Sequence, residues 1–426
     1  MSAILKRDGA DERVLTESAK TPRDALNETE TPKRALFPGA RSLELFSGAG
    51  GLALGLHQAG LSPVALLERD KDSRDAININ IASGLKEVAG WKTVRTDLRL
   101  VGYADYASEA NFVTGGPPRQ PFSLGGEHKA YEDSRDMFSE AVRAARELKP
   151  LGFIFENVRG LTRQSFSSYF NYITLQLSFP DIIKRSKMTW EDRLRALEEY
   201  RASKGDKGLE YDVVSKLVNA ADYGVPRTRH RVFIVGFRKD LNALWSFPEP
   251  TRSREALLIA KNGDSSYWEE RRVAKKDRPE APRAEERRAR LFDKLIYGER
   301  WRTVRDALKG LPDPKSDSAK NFFNHEYRGG ARAYAGRGGS LLDAPSKTIK
   351  AGTNGVPGGE NALALGDGEI RYYTVRESAR IQTFPDNYQF SGSWSESVRR
   401  IGDAAPVKLA YVIGASVIKR LKEIAR

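Results

Sequence analysis

The stretch "TGGPPRQPFS", Thr114 to Ser123, has the composition of a reactive loop. It follows an apolar run that is typical of a buried strand, and it joins two adjacent glycines and two adjacent prolines to a polar tip. Enzymes commonly carry reactive groups on loops that follow the strands of a sheet. The residue after the two prolines is Arg119, whose guanidinium stays protonated and offers no lone pair for attack. The segment is therefore predicted to be an active-site loop in which this position holds no nucleophile.

A glycine-rich turn lies in "LELFSGAGGLALGL", between a predicted strand and a predicted helix. Glycines at this place let backbone amides approach a ligand closely, and the helix dipole favours an anionic group. The spacing is Phe-x-Gly-x-Gly-Gly from Phe46, not the Gly-x-Gly-x-x-Gly of dinucleotide-binding folds. It therefore weighs against a dehydrogenase, and an ordinary tight turn is the alternative.

Two acids follow this turn at the ends of predicted strands. Glu68 ends the second strand, about twenty residues on, where a carboxylate can take both hydroxyls of a ribose. Asp97 ends the third predicted strand and could accept a hydrogen bond from an adenine amino group. Each acid alone is weak evidence, but the turn and the two acids together indicate an adenosine-containing cofactor.

Further charged residues belong to the same predicted edge of the sheet. Glu156, in "ENV", ends the fifth strand; a solvated acid beside a helix cap is the alternative. "PRTRHRVFIVG" spaces Arg227, Arg229 and Arg231 two apart, so strand alternation would send all three to one side. That arrangement suits phosphate or base contacts, or else forms a solvated basic edge.

The elements that must position these residues alternate between strand and helix. The predicted strands lie in "LELF", "SPVALLERD", "KTVRTDL", "ANFVTGGPP", "LGFIFENV", "YDVVSKLVNAADYGVP" and "HRVFIVGF". This alternation predicts an α/β fold, a doubly wound domain with a mostly parallel sheet. The rhythm stops near Leu241, where charged and glycine-rich segments begin. We expect a flexible tail over 1–38, a cofactor-binding catalytic domain over 39–240, a smaller domain over 241–345 and a returning segment over 346–426.

The composition excludes several classes of site. The 426 residues include no cysteine, which removes disulfides, thiolate metal sites and cysteine nucleophiles, and the four histidines make a metal site unexpected. The sequence contains no run of 18 apolar residues, so it predicts no membrane span. The N-terminus lacks the apolar core of a secretory signal, and a cytoplasmic location is therefore expected. The formal net charge of +14 favours a polyanionic partner, most simply a nucleic acid.

Six motifs, in order, resemble those of the DNA (cytosine-5)-methyltransferases. "FSGAGGL" resembles the first motif, "TGGPPRQPFS" the catalytic loop that normally reads Pro-Cys-Gln, and "ENV" the acidic motif. "PRTRHRVFIVG" resembles the Gln-x-Arg-x-Arg motif. "SKTIKAGTNGVPGGEN" and "RESARIQTFPD" resemble the stretch after the target-recognition domain, and "IGDAAPVKLAYVIG" resembles the closing motif. The resemblance extends from about residue 40 to residue 426.

The resemblance implies a class I S-adenosylmethionine-dependent methyltransferase fold with a smaller target-recognition domain, acting on double-stranded DNA. It implies that a cytosine is flipped out of the duplex and that a cysteine thiolate adds to C6, which makes C5 nucleophilic. Glu156 would steady N3, and Arg231 would contact the base with support from Arg229. The cofactor, which leaves as S-adenosylhomocysteine, would be held by Phe46, Ser47, Gly48, Gly50, Gly51, Glu68, Asp97, Pro118 and Asp403.

The chain departs from the family pattern at three positions. Arg119 stands where the cysteine is expected, Arg227 where glutamine is usual, and Asp403 where asparagine is usual. Because C5 of cytosine is a poor nucleophile until a group adds at C6, the first departure predicts a protein that is inactive as written. The family also allows a cognate restriction endonuclease as a partner, and we expect a monomer.

Three hypotheses therefore compete for the function. The first is a sequence-specific DNA cytosine-5 methyltransferase scaffold without its nucleophile. The second is a natural pseudo-methyltransferase that binds DNA and regulates or protects its site. The third is an active enzyme of different chemistry, in which Arg119 binds an anionic cofactor or an altered base. An RNA substrate is a further alternative, against which the basic stretch of about 100 residues favours duplex DNA.

Overall fold

A seven-stranded sheet organises the chain in this computed structural model, which describes residues 39–118, 137–182, 188–203, 208–292, 298–332, 338–349, 359–365 and 368–426. Its order is β3-β2-β1-β4-β5-β7-β6, and only the pairings of β7 with β5 and β6 are antiparallel. The predicted doubly wound, mostly parallel sheet is therefore confirmed. The strands are β1 Ala40–Leu45, β2 Leu61–Leu67, β3 Thr93–Val94, β4 Phe112–Gly115, β5 Gly152–Val158, β6 Tyr211–Asn219 and β7 His230–Arg238.

Helices cover both faces of this sheet, which explains why its central strands are apolar on both sides. In β5, Phe153 and Phe155 join the core beneath one helical layer, whereas Ile154 joins the core beneath the other. The first layer holds α3 Phe138–Leu148, α4 Ser167–Ser178 and α5 Trp190–Ala202. The second holds α1 Gly51–Gln58 and the last helix of the chain, α12 Val407–Ile424, while α2 Lys71–Ala82 follows β2.

A small helical cluster lies inside the range 241–345. The two-residue strands β8 Arg252–Ser253 and β9 Glu299–Arg300, which pair in parallel, precede and follow this cluster in the sequence. Its own core contains Leu257, Tyr267 and Trp268. The residues on either side pack elsewhere, since Phe247 joins the core under α12. The helices of this cluster are α6 Arg254–Asn262, α7 Ser266–Glu270 and α8 Arg283–Phe292.

The last part of the chain packs back onto the first strands and helices of the sheet. Tyr373, Phe384 and Tyr388 share a buried core with Ile77 of α2 and with Trp91, which lies just before β3. Val304 of the short helix before this part joins the same core. The elements involved are α9 Val304–Leu308, β10 Ser340–Leu341, β11 Ala362–Ala364, β12 Ile370–Tyr372, α10 Val375–Ile381 and α11 Trp394–Asp403.

The stretch Trp394–Ile424 is long and apolar enough to cross a membrane by length and composition. However, 67% of its most apolar window is buried inside the protein. It is also two helices in the structure, because α11 ends at Asp403 and α12 begins at Val407 after Pro406. The apolar residues of this stretch therefore form part of the protein core.

Helices α1 and α12 approach each other closely because glycine occupies their contact positions. A Cβ added at Gly55 would lie 2.2 Å from the carbonyl oxygen of Val407, and one at Gly51 would lie 2.5 Å from that of Ala405. On the other helix, a Cβ at Gly414 would lie 2.8 Å from Leu56. Because Gly51 also begins the helix after the glycine-rich turn, this contact fixes the turn against the C-terminal segment.

We predict that Gly55→Ala lowers the free energy of unfolding by about 1–3 kcal/mol, the usual cost of overpacking a core. The clash is with backbone, so it outweighs the roughly 1 kcal/mol that alanine gains over glycine inside a helix. The measurement is urea unfolding followed by circular dichroism. Gly338→Ala is the control, since a Cβ there meets nothing within 4 Å. An unchanged or raised stability of Gly55→Ala would contradict the close helix contact.

Candidate active site

A cavity of about 890 Å³ opens at the carboxyl ends of β1, β2, β4 and β5. Its volume lies in the range of sites for small molecules and cofactors. Most of the residues predicted from the sequence line it, namely Phe46, Ser47, Gly48, Gly51, Glu68, Asp97, Pro118, Glu156 and Asp403. Arg119 lies outside the described residues.

The glycine-rich turn forms one wall of the cavity in an unusual backbone conformation. Phe46 and Gly48 have φ angles of 54° and 53°. The first value is strained for an aromatic residue, and such strain is concentrated at functional sites. A Cβ at Gly48 would meet nothing within 4 Å, so its backbone faces open space. The Ser47 hydroxyl is buried without a hydrogen-bond partner among the described residues, which leaves a polar group for a ligand.

Gly50 does not line this cavity, although the family resemblance implied a cofactor contact there. It precedes α1 as its N-cap with φ 80°, a conformation that favours glycine. A Cβ at this position would lie 3.2 Å from the Tyr388 hydroxyl and 3.5 Å from Trp91. Gly50 therefore turns the chain into α1 while its inner side packs against the core.

Glu68 lies at the end of β2 and holds the turn with its carboxylate. One oxygen accepts a hydrogen bond from the Gly48 amide at 2.9 Å, and the other accepts from the Asp70 amide at 2.8 Å. Burial raises the pKa of Glu68 above its ordinary value, against the lowering effect of these hydrogen bonds. Each oxygen retains a lone pair, so the carboxylate can also accept from ligand hydroxyls.

Asp97 lines the cavity, but the strand predicted to end there is shorter. Strand β3 ends at Val94, and Asp97 caps a 3₁₀ turn over Leu98–Leu100. Its carboxylate accepts two hydrogen bonds from the Arg99 guanidinium, at 2.9 and 2.5 Å. The hydrogen bonds from Arg99 lower the pKa of Asp97 to about 2. Asp97 therefore stays ionised, and a ligand amino group would share it with Arg99.

Glu156 and Arg231 form a buried ion pair beside the start of the predicted catalytic loop. Arg231 Nε lies 2.5 Å from Glu156 Oε1, and the two side chains are 9% and 11% exposed. Burial lowers the pKa of Arg231, and Glu156 opposes this effect. A Cβ at Gly116 would lie 3.6 Å from the other Glu156 oxygen, so the loop begins directly over the pair. The structure thus joins an acid of β5 and an arginine of β7.

Sequence reasoning did not single out Asn157, which anchors the root of that loop. Its Nδ2 donates to the Pro117 carbonyl at 3.1 Å, and its Oδ1 accepts from the Val158 amide at 2.8 Å. The side chain is buried next to Glu156. Its place in the "ENV" motif was the available signal, because a buried amide beside a strand end needs specific partners.

The predicted basic edge of Arg227, Arg229 and Arg231 does not exist in the structure. Strand β7 begins only at His230, so strand alternation does not decide where the side chains of Arg227 and Arg229 point. Arg227 is 0% exposed and donates to the Ile349 carbonyl, while Arg229 is 1% exposed. Only Arg231 reaches Glu156. The interpretation of a solvated or phosphate-binding edge is therefore wrong.

Arg229 contacts the backbone of the cavity wall, not the cavity itself. Its guanidinium donates to the carbonyls of Asp403 and Ala404, at 3.3 and 3.1 Å. Gln382 also donates to the Ala404 carbonyl, at 2.8 Å. Asp403 ends α11 with its side chain exposed at the cavity. Arg229 therefore positions the segment that carries Asp403.

Several arginines of the cavity were also missed by sequence reasoning. Arg69 and Arg99 lie beside Asp97, and Arg399 and Arg400 come from α11. Since these residues occupy no motif of their own, nothing in the sequence distinguished them from surface charges. No group of three or more potential metal ligands is found within the described ranges.

Another missed residue, Glu44, lies in β1, just before the glycine-rich turn. It is 1% exposed, and one carboxylate oxygen contacts the Thr114 hydroxyl of the neighbouring strand β4. Burial raises the pKa of Glu44 to about 8, and the Thr114 hydrogen bond only partly offsets this effect. At neutral pH this group is therefore largely protonated and joins two strands that end at the cavity.

Comparisons with known proteins agree with this arrangement. The family description "C-5 cytosine-specific DNA methylase" matches residues 40–180 and 195–419. The Type II methyltransferase M.PspPI of Psychrobacter sp. is 31% identical over 381 residues, which are 89% of this chain and 79% of that protein. The Type II methyltransferase M.Eco47II of Escherichia coli is 30% identical, over 90% of this chain and 79% of that protein.

Solved structures share the fold. A putative DNA modification methyltransferase encoded within an Escherichia coli prophage superposes with a TM-score of 0.52 at 20% identity, covering 90% of this chain and 99% of that chain. A DNMT2 variant of Spodoptera frugiperda superposes with a TM-score of 0.52 at 14% identity, covering 90% and 99%. At these identities the likeness establishes the class of fold.

We predict that Glu44 makes the stability of the protein fall as pH rises from about 5 to about 8. Its folded pKa exceeds the ordinary value of 4.5, so the unfolded chain loses this proton first. The contribution is bounded by one proton, which is about 1.4 kcal/mol per pH unit. Urea unfolding at several pH values should show a flatter profile for Glu44→Gln. The exposed Glu249→Gln should retain the wild-type slope, and equal slopes for all three proteins would exclude a protonated Glu44.

Proposed function

Because this chain belongs to the C-5 cytosine-specific DNA methylase family, we propose that its cavity binds S-adenosylmethionine beside a cytosine turned out of duplex DNA. The observation that supports this most is the Glu156–Arg231 ion pair of 2.5 Å, which lies beside the loop after β4. Glu156 also lines the cavity that holds the glycine-rich turn and Glu68. One site can thus present a base and a cofactor to each other.

The residues of the cavity fit the cofactor. The Ser47 hydroxyl is buried without a partner in the described part of the chain, and the Gly48 backbone faces open space. Glu68 would accept from the ribose hydroxyls, Asp97 from the adenine amino group, and Asp403 would lie near the amino-acid end. When bound, S-adenosylmethionine supplies the methyl group. The chain's own part is to bind and orient this molecule through Phe46, Ser47, Gly48, Gly51, Glu68, Asp97, Pro118 and Asp403.

Glu156 and Arg231 would hold the base. Glu156 would steady N3 of cytosine with the carboxylate oxygen that is not closest to Arg231, and Arg231 would fix the orientation of Glu156 while contacting the base. Because both side chains are almost fully buried, their interactions with the base would be strong. Arg229 would act one step further away, since it positions the backbone at Asp403.

With Arg119 in place of the cysteine, the protein would bind cofactor and DNA but would not carry out the addition to C6 of cytosine. Methyl transfer to C5 of cytosine requires that a nucleophile first add to C6, and the chain contains no cysteine that could do so. We therefore assign to this chain binding of cofactor and DNA without methyl transfer. A natural pseudo-methyltransferase that regulates or protects its DNA site is the second candidate, and it rests on the same observation.

The remaining parts of the proposal follow from the relatives and from the small helical cluster. The cluster around Tyr267 and Trp268 lies where the family carries its target-recognition domain, and specificity would come from base contacts of this region. We place its limits at 241–345, with 39–240 and 346–426 forming the catalytic domain and 1–38 a tail. The bacterial Type II relatives motivate a cytoplasmic location and a restriction endonuclease of the same site as a partner. That the protein acts as a monomer is a separate proposal, which the relatives do not address.

Glu68→Ala should weaken the binding of S-adenosylhomocysteine at least tenfold in isothermal titration calorimetry, where the wild-type protein should form a 1:1 complex. The loss has two sources, the ribose contacts and the hydrogen bond that holds the Gly48 amide. Glu249→Ala, at an exposed position, is the control and should bind normally. Unimpaired binding by a folded Glu68→Ala protein would refute the ribose assignment.

Arg119→Cys should restore methylation of duplex DNA and a covalent complex with 5-fluorocytosine in a duplex, neither of which the Arg119 protein should show. The positive charge of the site should lower the thiol pKa below its ordinary value of about 8.5 and supply thiolate at neutral pH. Arg119→Ser is the matched control and should stay inactive.

Two outcomes would contradict this proposal. Methylation of cytosine C5 by the Arg119 protein would show that the covalent route is wrong for this chain. An Arg119→Cys protein that binds cofactor and DNA but stays inert would shift the cause to Arg227 or Asp403, the two other departures from the family pattern. The second outcome would favour a natural pseudo-methyltransferase.

A further inference from the structure

A second cleft, of about 440 Å³, lies where three parts of the chain meet. Pro226 comes from the loop before β7, Arg302 precedes α9, and Arg380 and Thr383 come from the end of α10. Phe384 and Ala307 form its buried floor, and Asp306 and Lys309 complete the lining. None of these residues belongs to the cofactor cavity. The cleft is therefore a separate concave site where the loop before β7, the segment around α9 and the end of α10 meet.

The acid of this cleft is fully engaged with cations other than Arg302 and Lys309. One oxygen of Asp306 contacts the Arg271 guanidinium, and the other accepts from Arg300 at 2.8 Å and from the Thr303 amide at 2.9 Å. Arg380 is likewise neutralised, because it forms two hydrogen bonds with Asp386 at 2.6 and 2.5 Å. Its third nitrogen donates to the Lys309 carbonyl at 2.8 Å and so fixes the rim of the cleft.

Two cations of the cleft, Arg302 and Lys309, form no ion pair within the part of the chain that the structure describes. The Arg302 guanidinium donates to the Asp306 carbonyl at 3.5 Å. Arg302 is half-buried, and its burial lowers its pKa despite the nearby Asp306; the neighbouring Arg252 and Arg300 act in the same direction as burial. A partly desolvated guanidinium that forms no ion pair costs free energy, part of which an anion in the cleft would recover.

From this geometry we propose that the cleft binds a phosphate group between the Arg302 guanidinium and the Lys309 ammonium group. The guanidinium offers paired N–H donors to two phosphate oxygens, and the ammonium group offers a mobile point charge at the exposed rim. Thr383 stabilises the opposite wall, since its hydroxyl accepts from the Lys408 amide at 2.8 Å. The phosphate can belong to the backbone of bound DNA or to a free ligand, and the chemistry of recognition is the same.

The test compares Arg302→Gln/Lys309→Gln with Lys86→Gln/Lys419→Gln, which removes the same charge from two exposed positions outside the cleft. In the first arm, inorganic phosphate is titrated against sodium chloride of equal ionic strength, and the melting temperature is followed. Phosphate should raise the melting temperature of the wild-type and control proteins, and the affinity should fall at least tenfold in the cleft variant.

In the second arm, binding to a fluorescent DNA duplex is measured over a range of salt concentrations. If the phosphate is part of the DNA backbone, the slope of log K against log salt, which is negative, should become smaller in magnitude by about 1 in the cleft variant. It should stay unchanged in the control. An unchanged slope with lost phosphate binding identifies a site for a free phosphate ligand. Unchanged phosphate binding together with an unchanged slope overturns the proposal.

Single variants separate binding from stability. Lys309→Gln affects an exposed side chain and should fold normally, with a several-fold loss of phosphate affinity. Arg302→Lys keeps the charge but loses the paired donors, so it should bind phosphate more weakly than the wild-type protein and more tightly than Arg302→Gln. Equal phosphate affinity of all folded variants would also overturn the proposal.

Discussion

Buried arginines that bind backbone carbonyls hold the returning C-terminal segment in place, and the candidate site depends on them. Arg229 donates to the carbonyls of Asp403 and Ala404. Arg376, which is 0% exposed, donates to the carbonyls of Phe323, Pro385 and Tyr388 at 2.9, 3.0 and 2.6 Å. A guanidinium has five donors and always carries charge, so its burial is tolerated only where acceptors such as carbonyls or carboxylates meet it in a fixed geometry. These contacts therefore select one arrangement of the segment.

That constraint reaches the cavity through α11 and α12. The carbonyl of Ala405 lies so close to Gly51 that a Cβ would come within 2.5 Å of it, and the Tyr388 hydroxyl donates to the Ala49 carbonyl at 2.8 Å. The glycine-rich turn is thus held from behind by the last part of the chain. Burial of Arg376 lowers its pKa to about 10, which still leaves it charged at neutral pH. The turn and the segment that carries Asp403 are therefore joined by direct contacts.

The sequence was sufficient for the sheet, and it named most of the residues that the structure brings to one cavity, partly from local patterns and partly from the family resemblance. Apolar strands alternating with helices predict a parallel sheet, and the carboxyl ends of its strands bring Glu68 and Glu156 to one edge. Asp97 was placed correctly at the cavity but on the wrong element, since a two-residue β3 carries too little pattern to show where it ends. The hydrogen bonds from Arg99 that orient Asp97 also cannot be inferred from the spacing of residues along the chain.

The remaining errors concern residues whose roles depend on distant partners. Arg229 resembles a solvated charge in the sequence, and its burial follows only from the carbonyls that reach it 174 and 175 positions later. Glu44 lies in a strand that the sequence predicts to be buried, but its protonation depends on the burial of its carboxyl group and on Thr114 of the neighbouring strand, which the sequence does not reveal. The small helical cluster shares this difficulty, because its limits are set by which core each side chain joins.

In the function that we propose, binding and methyl transfer depend on different residues. An enzyme can lose a stabilising contact and keep a reduced rate, because positioning and electrostatics still lower the barrier. Loss of a covalent nucleophile differs, since without addition at C6 the C5 carbon of cytosine is too poor a nucleophile to accept the methyl group at a useful rate. In the described residues Arg231 contacts Glu156, the Gly48 amide donates to Glu68, and Arg99 donates to Asp97. If, as we propose, these residues hold the cofactor and the base, then Arg119 in place of a cysteine removes the covalent step and leaves the binding contacts in place.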